Sequence, residues 1–303
     1  MEWLDALMGS GIRLTTPILL AALACLPTAW TRDLNIGLEG IMIFGAFFGV
    51  AVGLSTGSIW IALLVTVVLA ALAGACFALL VAKLRVNVFV LGIVLFVFAG
   101  AATAYMLSPF FGVKGNLAEP GTPVLPTVSI PGVEEVPVLG GLLSGHTILT
   151  WLAVILIVVM IILDRRSVIV VHLRAAGAHR EALAVSGVNV TRVRVLAQIW
   201  CFVFSALAGM QLITLGQLTL FTVGMTGGMG FVALAVVIFA KGRVGRAAGI
   251  AVGFGFATAL TFQVDNNVVP YDLSRVLPYA VAFVALIVLS RQSLRSQPAL
   301  AKA

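Results

Sequence analysis

The sequence predicts an all-α polytopic integral membrane protein, and three observations lead to this fold class. Of the 303 residues, 61% are hydrophobic and only 10% are charged, with a mean hydropathy of +1.17, far outside the range of soluble globular domains. Apolar runs long enough to cross about 30 Å of hydrocarbon recur along the chain. None of these runs alternates with the period of two that a barrel strand needs, so we expect helices, which satisfy their own backbone hydrogen bonds in lipid.

Nine apolar segments are predicted to span the membrane, some of them broken or re-entrant. They leave almost nothing for a soluble domain, so residues 1–303 are treated as one transmembrane domain. Acidic Glu2 and Asp5 precede Arg13, which is the reverse of a secretory signal, and we expect the N-terminus to be retained. The segments cover residues 14–30, 37–53, 59–82, 86–107, 148–163, 195–215, 225–240, 247–262 and 276–290.

Basic residues predict the orientation, because Lys and Arg in short loops favour the cytoplasmic side. Alternate loops divide them fifteen to three, which places the N-terminus outside and the C-terminus in the cytoplasm. The three outside residues are Arg13, Lys114 and Arg275. The fifteen cytoplasmic ones are Arg32, Lys83, Arg85, Arg165, Arg166, Arg174, Arg180, Arg192, Arg194, Lys241, Arg243, Arg246, Arg291, Arg295 and Lys302.

Two connections between the predicted spans are long. Residues 108–146 fall outside and carry six prolines, which predict an irregular external cap. Residues 164–194 fall in the cytoplasm, where the Ala-rich stretch 173–184 favours a short amphipathic helix that Gly187 would end. That helix is either a docking surface for a partner or a plain interfacial helix, and periodicity does not separate the two.

A first polar cluster lies at the start of the second span. Asn35 and Glu39 are four residues apart and so share one helix face, while Gly37 and Gly40 permit close approach of another backbone. A carboxylate near mid-bilayer costs about 2.5 to 3.5 kcal/mol, so Glu39 should face the protein interior or a wet cavity. It is either a gate or pathway residue, accepting hydrogen bonds from solute or from a broken helix, or a structural link between helices.

A second cluster runs from residue 216 to residue 230 and is rich in glycine. Four glycines fall within residues 224–230, and each weakens a helix by about 1 kcal/mol relative to alanine. We expect a break or re-entrant turn here, which at membrane depth is tolerated only inside protein or beside a water-filled cavity. The alternative is tight glycine-mediated packing of a continuous helix.

The helices after the two clusters run in opposite directions in the predicted topology, which indicates an inverted repeat of the kind that transporters use. Phe221 and Trp200 could stack on a flat solute, although both are equally compatible with core or lipid-facing positions. The candidate residues of a solute pathway or gate are Asn35, Glu39, Phe221, Met225, Thr226, Gly227 and Gly228.

Several function classes find no support in the sequence. The three cysteines lie singly in apolar runs and the histidines have no ligand spacing, so we expect no metal and no cofactor. Nucleophile elbows, paired carboxylates and phosphate loops do not occur, so catalysis is not expected. The net charge of +7 is spread over short loops rather than one face, so nucleic acid is not an expected partner.

Three stretches of the chain resemble the permease subunits of bacterial ABC importers for branched-chain amino acids, simple sugars and nucleosides, with the nucleoside branch closest. They are residues 34–42, residues 173–177 with 186–190, and residues 224–231 with 233–235 and 238–239. The resemblance implies residence in the bacterial inner membrane among lipid, a second permease subunit that is identical or homologous, cytoplasmic ATP-binding subunits, and an external solute-binding protein or lipoprotein.

The resemblance also implies that the cytoplasmic connection is the coupling region contacted by the ATP-binding subunits. The coupling residues it marks are Arg174, Gly177, Ala178, His179, Arg180 and Glu181. The chain departs from similar permeases in two places: residues 177–180 lack the usual Gly-Glu-Asn-Pro turn, and the fourth span lacks an Asn expected in nucleoside permeases.

Two other classes of membrane protein are alternatives to an importer permease. An ion-coupled transporter would want several intramembrane charges, whereas Glu39 is the one acid deep in a predicted span. A membrane-embedded enzyme would need a nucleophile or metal cluster, and the sequence offers neither. Within the permease class, a simple sugar remains the alternative to a nucleoside as solute.

Overall fold

The computed structural model describes residues 2–117, 122–132, 139–214 and 220–263. The ninth predicted span, 276–290, lies outside these residues, as do the four basic residues from Arg275 onward. The elements in chain order are α1 (Glu2–Trp30), α2 (Leu38–Thr56), α3 (Ile59–Leu84), α4 (Val88–Phe111), β1 (Asn116–Leu117), β2 (Thr127–Val128), α5 (Leu139–Leu143), β3 (His146–Thr147), α6 (Ile148–Arg166), α7 (Val168–Ala178), α8 (Arg180–Val185), α9 (Val190–Leu212), β4 (Phe221–Thr222), α10 (Met229–Phe239) and α11 (Val244–Gln263).

Within the described residues, six helices are long and apolar enough to cross a membrane. They are α1 from Asp5 onward, α2, α3, α4, α6 and α9. Three shorter apolar helices, α7, α10 and the first part of α11, accompany them. The predicted spans 225–240 and 247–262 fall on α10 and α11. The chain is therefore a polytopic helical membrane protein, while the count of nine spans and the sides of the two termini stay predictions.

Three helices form the centre of the bundle. Most of α1, α2 and α9 is buried, whereas most of α3, α4 and α6 is half-buried or exposed, with large apolar side chains on the outer face. Such faces suit contact with lipid tails, since the hydrocarbon offers no polar partners. The polar side chains discussed below consequently lie on or beside the central helices.

Glycines set the distance between α2 and α9. A Cβ built on Gly209 would collide with the backbone carbonyl of Met42, and one built on Gly45 would collide with that of Ala206. Helices in membranes gain little from the hydrophobic effect when they associate, so close backbone packing through small residues has to supply the attraction. The two central helices therefore pack backbone to backbone.

One end of the bundle gathers the loops that carry basic residues, and we call it the basic end. The indole Nε1–H of Trp30 at the end of α1 donates to the carbonyl of Gly242, at 2.8 Å, and Arg194 at the start of α9 pairs with Asp33. The basic residues on these loops and helix ends are Arg32, Lys83, Arg85, Arg165, Arg166, Arg174, Arg180, Arg192, Arg194, Lys241, Arg243 and Arg246.

The opposite end, which we call the capped end, contains regular secondary structure where an irregular cap was predicted. The strand β1 pairs antiparallel with β4, and β2 pairs antiparallel with β3. The short helix α5 is tied to α1, because the backbone N–H of Gly141 donates to the Asp5 carboxylate at 2.8 Å. The cap also begins later than expected, since α4 continues through Pro109 to Phe111.

The predicted single helix over residues 173–184 is wrong in its extent. The structure has two helices, α7 and α8, separated at His179 by backbone with φ −143° and ψ 74°, outside the helical region. Gly177 packs on the backbone of α1 on one side of this break, and Arg180 pairs with Asp33 on the other. Tertiary contacts thus outweigh the helix propensity of the alanines. The predicted stop is confirmed, since Gly187 follows α8 with φ +85°.

The packing of α2 on α9 predicts opposite outcomes for two glycine substitutions. Gly209→Ala should destabilise the protein by roughly 1 to 3 kcal/mol, because its methyl group would push the two backbones apart. Gly100→Ala in α4 meets open space and should be neutral or slightly stabilising through helix propensity. Thermal unfolding of the detergent-solubilised variants, followed by size-exclusion chromatography, measures both. Equal midpoints for the two variants would contradict the packing described here.

Candidate functional site: a broken helix and its contact with the basic end

Glu39 lies at the junction of two helices. It stands in the first turn of α2, and its side chain accepts hydrogen bonds from the backbone N–H groups of Gly228, at 2.8 Å, and Gly230, at 2.7 Å. These N–H groups belong to the start of α10, so the carboxylate lies beside two helix N-termini, each carrying a partial positive charge. The residue is only 3% exposed. Among the described residues, each oxygen of this carboxylate is satisfied by one backbone N–H donor.

The helix that Glu39 caps is interrupted, as the glycine pattern predicted. Residues 224–228 form successive turns in which Gly224, Gly227 and Gly228 all have positive φ, at +79°, +52° and +87°. Only glycine adopts such angles without strain. A Cβ on Gly230 would lie 2.6 Å from the backbone nitrogen of Glu39, so glycine is also needed for the two chains to approach. The predicted span 225–240 is thus a run of turns followed by the short helix α10.

The length of α10 indicates how deep in the membrane the break lies. The eleven residues of α10 span about 16 Å from the break to the basic end, roughly half of a 30 Å hydrocarbon layer. Gly224 and Gly227 are exposed and Met225 is half-buried, while Thr226 is almost fully buried. Exposed non-helical backbone at this depth has to face protein or water rather than lipid. The surface at the break is therefore suited to line a cavity or an interface.

Asn35 supports the junction from the side of the basic end. It is fully buried; its Oδ1 accepts from the N–H of Gly37 at 2.8 Å, and its Nδ2 donates to Gln198 Oε1 at 3.3 Å. Gln198 in α9 in turn donates through Nε2 to the carbonyl of Asp33 at 3.0 Å. The short chain between α1 and α2 is consequently fixed to α9 by side-chain amides. The predicted pathway residues Asn35 and Glu39 thus lie in one continuous arrangement with Gly228.

The two glycine-rich clusters that suggested an inverted repeat meet at this junction. From it, α2 runs to the capped end, where its Phe47 contacts Phe221 in β4, and α10 runs to the basic end. The helices therefore diverge in opposite directions from adjacent starting points. Whether two whole halves of the chain are related in this way involves residues beyond 263, so the repeat remains a prediction.

The aromatic residues proposed for solute stacking are occupied by protein. Phe221 is fully buried, paired in β4 with Leu117 and packed edge to face on Phe47, with ring centroids 5.4 Å apart. Trp200 packs on Phe204 at 4.4 Å and donates its indole N–H to the carbonyl of Leu23. In this conformation Phe221 has no free face for a solute, whereas Trp200 is half-buried and its ring is partly covered by Phe204.

A groove of about 550 Å³ opens at the basic end beside the break between α7 and α8. Five of the six predicted coupling residues line it, while Arg174 does not. Arg174 instead places its guanidinium 5.3 Å above the Trp30 ring and pairs with Asp164. The lining residues are Arg32, Gly177, Ala178, His179, Arg180, Glu181 and Ala182.

Asp33 is a site residue that sequence reasoning missed. Its side chain is 7% exposed and accepts from Arg194, with Nη2 to Oδ1 at 2.6 Å, and it pairs with Arg180 at 3.5 Å. In the sequence it is a single acid in a short loop next to Arg32, which is unremarkable for a surface position. The signal that could have identified it is an acid in the loops of the basic end, where arginines predominate.

A second cleft, of about 470 Å³, lies at the capped end between α1 and α5, with Asp5 and Arg13 in its lining. His146 is buried nearby; its Nε2 is 2.9 Å from the carbonyl of Gly141, and burial holds the pKa of the imidazole below its usual value. We find no group of histidine, cysteine and acidic side chains placed to hold a metal ion among the described residues.

The fold and the junction define a helical membrane protein of the transporter class, with a discontinuous helix held by a buried acid. Comparison with known proteins places it more closely. The chain belongs to the family of branched-chain amino acid transport system permease components, whose family model matches residues 7–286. It is a multi-pass protein of the inner membrane.

Three curated relatives span most of the chain. The guanosine ABC transporter permease protein NupQ of Bacillus subtilis is 29% identical over 283 residues, covering 89% of this chain and 87% of the relative. TsgC13 of Haloferax volcanii, whose name gives glucose transport as a provisional function, is 30% identical over 267 residues, covering 87% and 79%. The nucleoside ABC transporter permease protein NupC of Lactococcus lactis is 26% identical over 288 residues, covering 90% and 88%. No solved structure matches the chain.

The double capping of Glu39 predicts the effect of removing its charge. Glu39→Gln leaves one amide oxygen to accept and places an NH₂ group against a backbone N–H, so one buried donor loses its partner. The variant should be less stable by about 1 to 3 kcal/mol. Glu181→Gln, at an exposed position, serves as the matched control and should be neutral. Thermal unfolding in detergent compares them; an unchanged midpoint for Glu39→Gln would contradict the capping role.

Proposed function

We propose that this chain is the membrane-spanning permease subunit of an ATP-driven importer, and that its solute is a nucleoside. The observation that carries the proposal is the junction at Glu39, a discontinuous helix at membrane depth held by a buried acid, in a chain of this permease family. Transporters commonly carry solute beside such discontinuous helices. The residues assigned to the pathway are Asn35, Glu39, Met225, Thr226, Gly227 and Gly228, whereas Phe221 is left out because its ring is fully buried against Phe47.

In this proposal the basic end faces the cytoplasm, in keeping with the distribution of Lys and Arg. The groove lined by residues 177–182 and Arg32 then receives a cytoplasmic ATP-binding subunit. A second permease subunit, identical or homologous, covers the exposed backbone at the break, and an external solute-binding protein or lipoprotein docks at the capped end. The ATPase activity belongs to the partner subunits, and the permease itself catalyses no reaction.

Gly177 has a structural role in this picture in addition to its place in the groove. A Cβ on Gly177 would collide with the backbone of Trp30 and Thr31, so the glycine lets α7 lie directly on the end of α1. Force applied to α8 by a partner and passed on to α7 therefore reaches α1 without an intervening side chain. Arg174, stacked on Trp30, acts at the same contact.

An ion-coupled transporter is the alternative class, and the geometry of Glu39 argues against it. A coupling acid has to exchange protons or cations with a water-filled path. Each oxygen of Glu39 already accepts from a backbone N–H, and only 3% of the residue is exposed. A cation would have to displace the start of α10 before it could bind.

The nucleoside assignment follows the two relatives whose names give guanosine or nucleoside as the solute, and a sugar remains the competing solute because of the third. Cells that express this chain together with the ATP-binding and solute-binding subunits of its importer should accumulate radiolabelled guanosine. A hundredfold excess of unlabelled uridine or adenosine should compete more strongly than the same excess of glucose. Accumulation of glucose without guanosine would overturn the nucleoside assignment and leave the permease assignment standing.

The groove predicts a surface substitution that weakens binding of the ATP-binding subunit. Glu181→Arg reverses an exposed charge in the groove lining and should reduce recovery of the ATP-binding subunit roughly tenfold, as reversal of a contact charge does at other interfaces. The measurement is quantitative mass spectrometry of the complex purified by a tag on this chain. Lys114→Glu reverses an exposed charge at the capped end and should leave recovery unchanged. Equal recovery in both variants would remove the groove as the docking site.

A further inference from the structure

Both ends of α10 are held by one short stretch of chain, residues 30–39, which we call the linker segment. At the start of α10, the carboxylate of Glu39 accepts from Gly228 and Gly230. Beyond its other end, the indole of Trp30 donates to the carbonyl of Gly242, in a turn where Gly242 has φ +68°. The broken helix is therefore attached to the linker segment at two points separated by its whole length.

The linker segment also contacts the groove at the basic end. The backbone of Trp30 and Thr31 lies against Gly177 of α7, and the Arg174 guanidinium lies over the Trp30 ring. In α8, Arg180 reaches the Asp33 carboxylate at 3.5 Å. Among the described residues, this pairing is the one ionic contact between α8 and the linker segment.

Asp33 is buried and held by several partners, unlike a typical surface acid. Its side chain is 7% exposed and lies between the guanidinium groups of Arg194, 20% exposed, and Arg180, 50% exposed. Its backbone N–H donates to the carbonyl of Thr28, and its carbonyl accepts from Gln198. Gln198 then holds Asn35, whose Oδ1 accepts from the N–H of Gly37, the residue just before α2. Every step from Arg180 to Glu39 is a hydrogen bond, an ion pair or a few residues of continuous chain.

We propose that Asp33 is a positioning residue that transmits movement of α8 to the broken helix α10. The inference rests on the proposed function, since it assumes a partner that moves α8. Arg194 anchors Asp33 to the start of α9, and Arg180 lets α8 pull on it. When α8 moves, the linker segment moves with it and carries both ends of α10. Neither the family comparison nor the sequence motifs assign a role to Asp33.

Asp33→Asn tests the role of the Asp33 ion pairs because it keeps the size of the side chain and removes its charge. Asp164→Asn is the matched control, since Asp164 is also paired with an arginine, Arg174 of α7, but has no hydrogen bond or ion pair with the linker segment. Arg174 is expected to keep its stacking on the Trp30 ring in this variant. Asp33→Glu restores the charge. Arg180→Gln breaks the contact with α8 alone and leaves the more buried pair with Arg194 intact, so the fold is retained.

Three quantities are measured on the complex purified from its own membranes and returned to liposomes. They are the recovery of the ATP-binding subunit, the rate of ATP hydrolysis, and the uptake of guanosine or glucose, whichever the wild type accumulates, as a function of concentration. Asp33→Asn should keep the recovery of the subunit and the half-saturating solute concentration. Its maximal uptake should fall about tenfold relative to ATP hydrolysis, in the range of typical coupling between sites. Asp33→Glu should restore most of the ratio, Arg180→Gln should lower it to a lesser degree, and Asp164→Asn should leave it unchanged.

The possible failures are distinguishable. A wild-type complex without an ATP-binding subunit overturns the proposed function and the inference with it. A wild-type ratio of uptake to hydrolysis in the assembled Asp33→Asn complex overturns the inference alone. If Asp33→Asn fails to assemble, Arg180→Gln decides, and a wild-type ratio in that variant overturns the inference.

Discussion

The buried carboxylate of Glu39 is the interaction on which the half of this structure that leads to the basic end depends. A charge in a low-dielectric interior is costly unless hydrogen bonds and opposite charge compensate it. No basic side chain pairs with Glu39 in the described residues; its compensation comes from two backbone N–H groups and from the N-terminal ends of α2 and α10. That arrangement requires two helices to begin at the same place. It also accounts for the broken helix, because a continuous helix through residues 224–230 would have no free N–H groups to offer.

Glycine is the chemical condition for this arrangement. Glu39 can reach the start of α10 only because Gly230 lies against its backbone, and α2 can reach α4 only because Gly40 lies on the backbone of Phe96. The same condition holds at the basic end, where Gly177 lies on the end of α1. In each case a methyl group would separate two backbones whose contact sets the position of a polar group. The positions of the buried polar groups therefore depend on the glycines beside them.

Sequence reasoning identified the parts of this site that differ from their apolar surroundings. Glu39 and Asn35 stand out as polar residues in an apolar run, and the glycines of residues 224–230 stand out as helix breakers. Their pairing could not be read from the sequence, because Gly228 lies 189 positions from Glu39 and no local rule connects them. Asp33 was missed for a related reason, since a single acid beside Arg32 has the composition of a surface loop. The break at His179 was missed because alanine propensity is a local property and the contacts that override it are not.

The attachment of α10 to the linker segment at two points restricts how α10 and the basic end can move. Turning α10 independently of α2 would break the hydrogen bonds that Gly228 and Gly230 donate to Glu39. The carboxylate would then be buried without partners, and loss of one partner from a buried charge commonly costs about 3 to 5 kcal/mol. Moving α10 together with the linker segment breaks none of these contacts. It requires the contacts of the linker segment with α7, α8 and α9 to shift, namely the packing of Trp30, the ion pairs of Asp33 and the hydrogen bonds of Gln198. Contacts between packed elements can have more than one discrete arrangement. Rigid-body movement of the linker segment with α10 is therefore the lower-energy route, and the ion pairs of Asp33 are among the contacts that it has to rearrange.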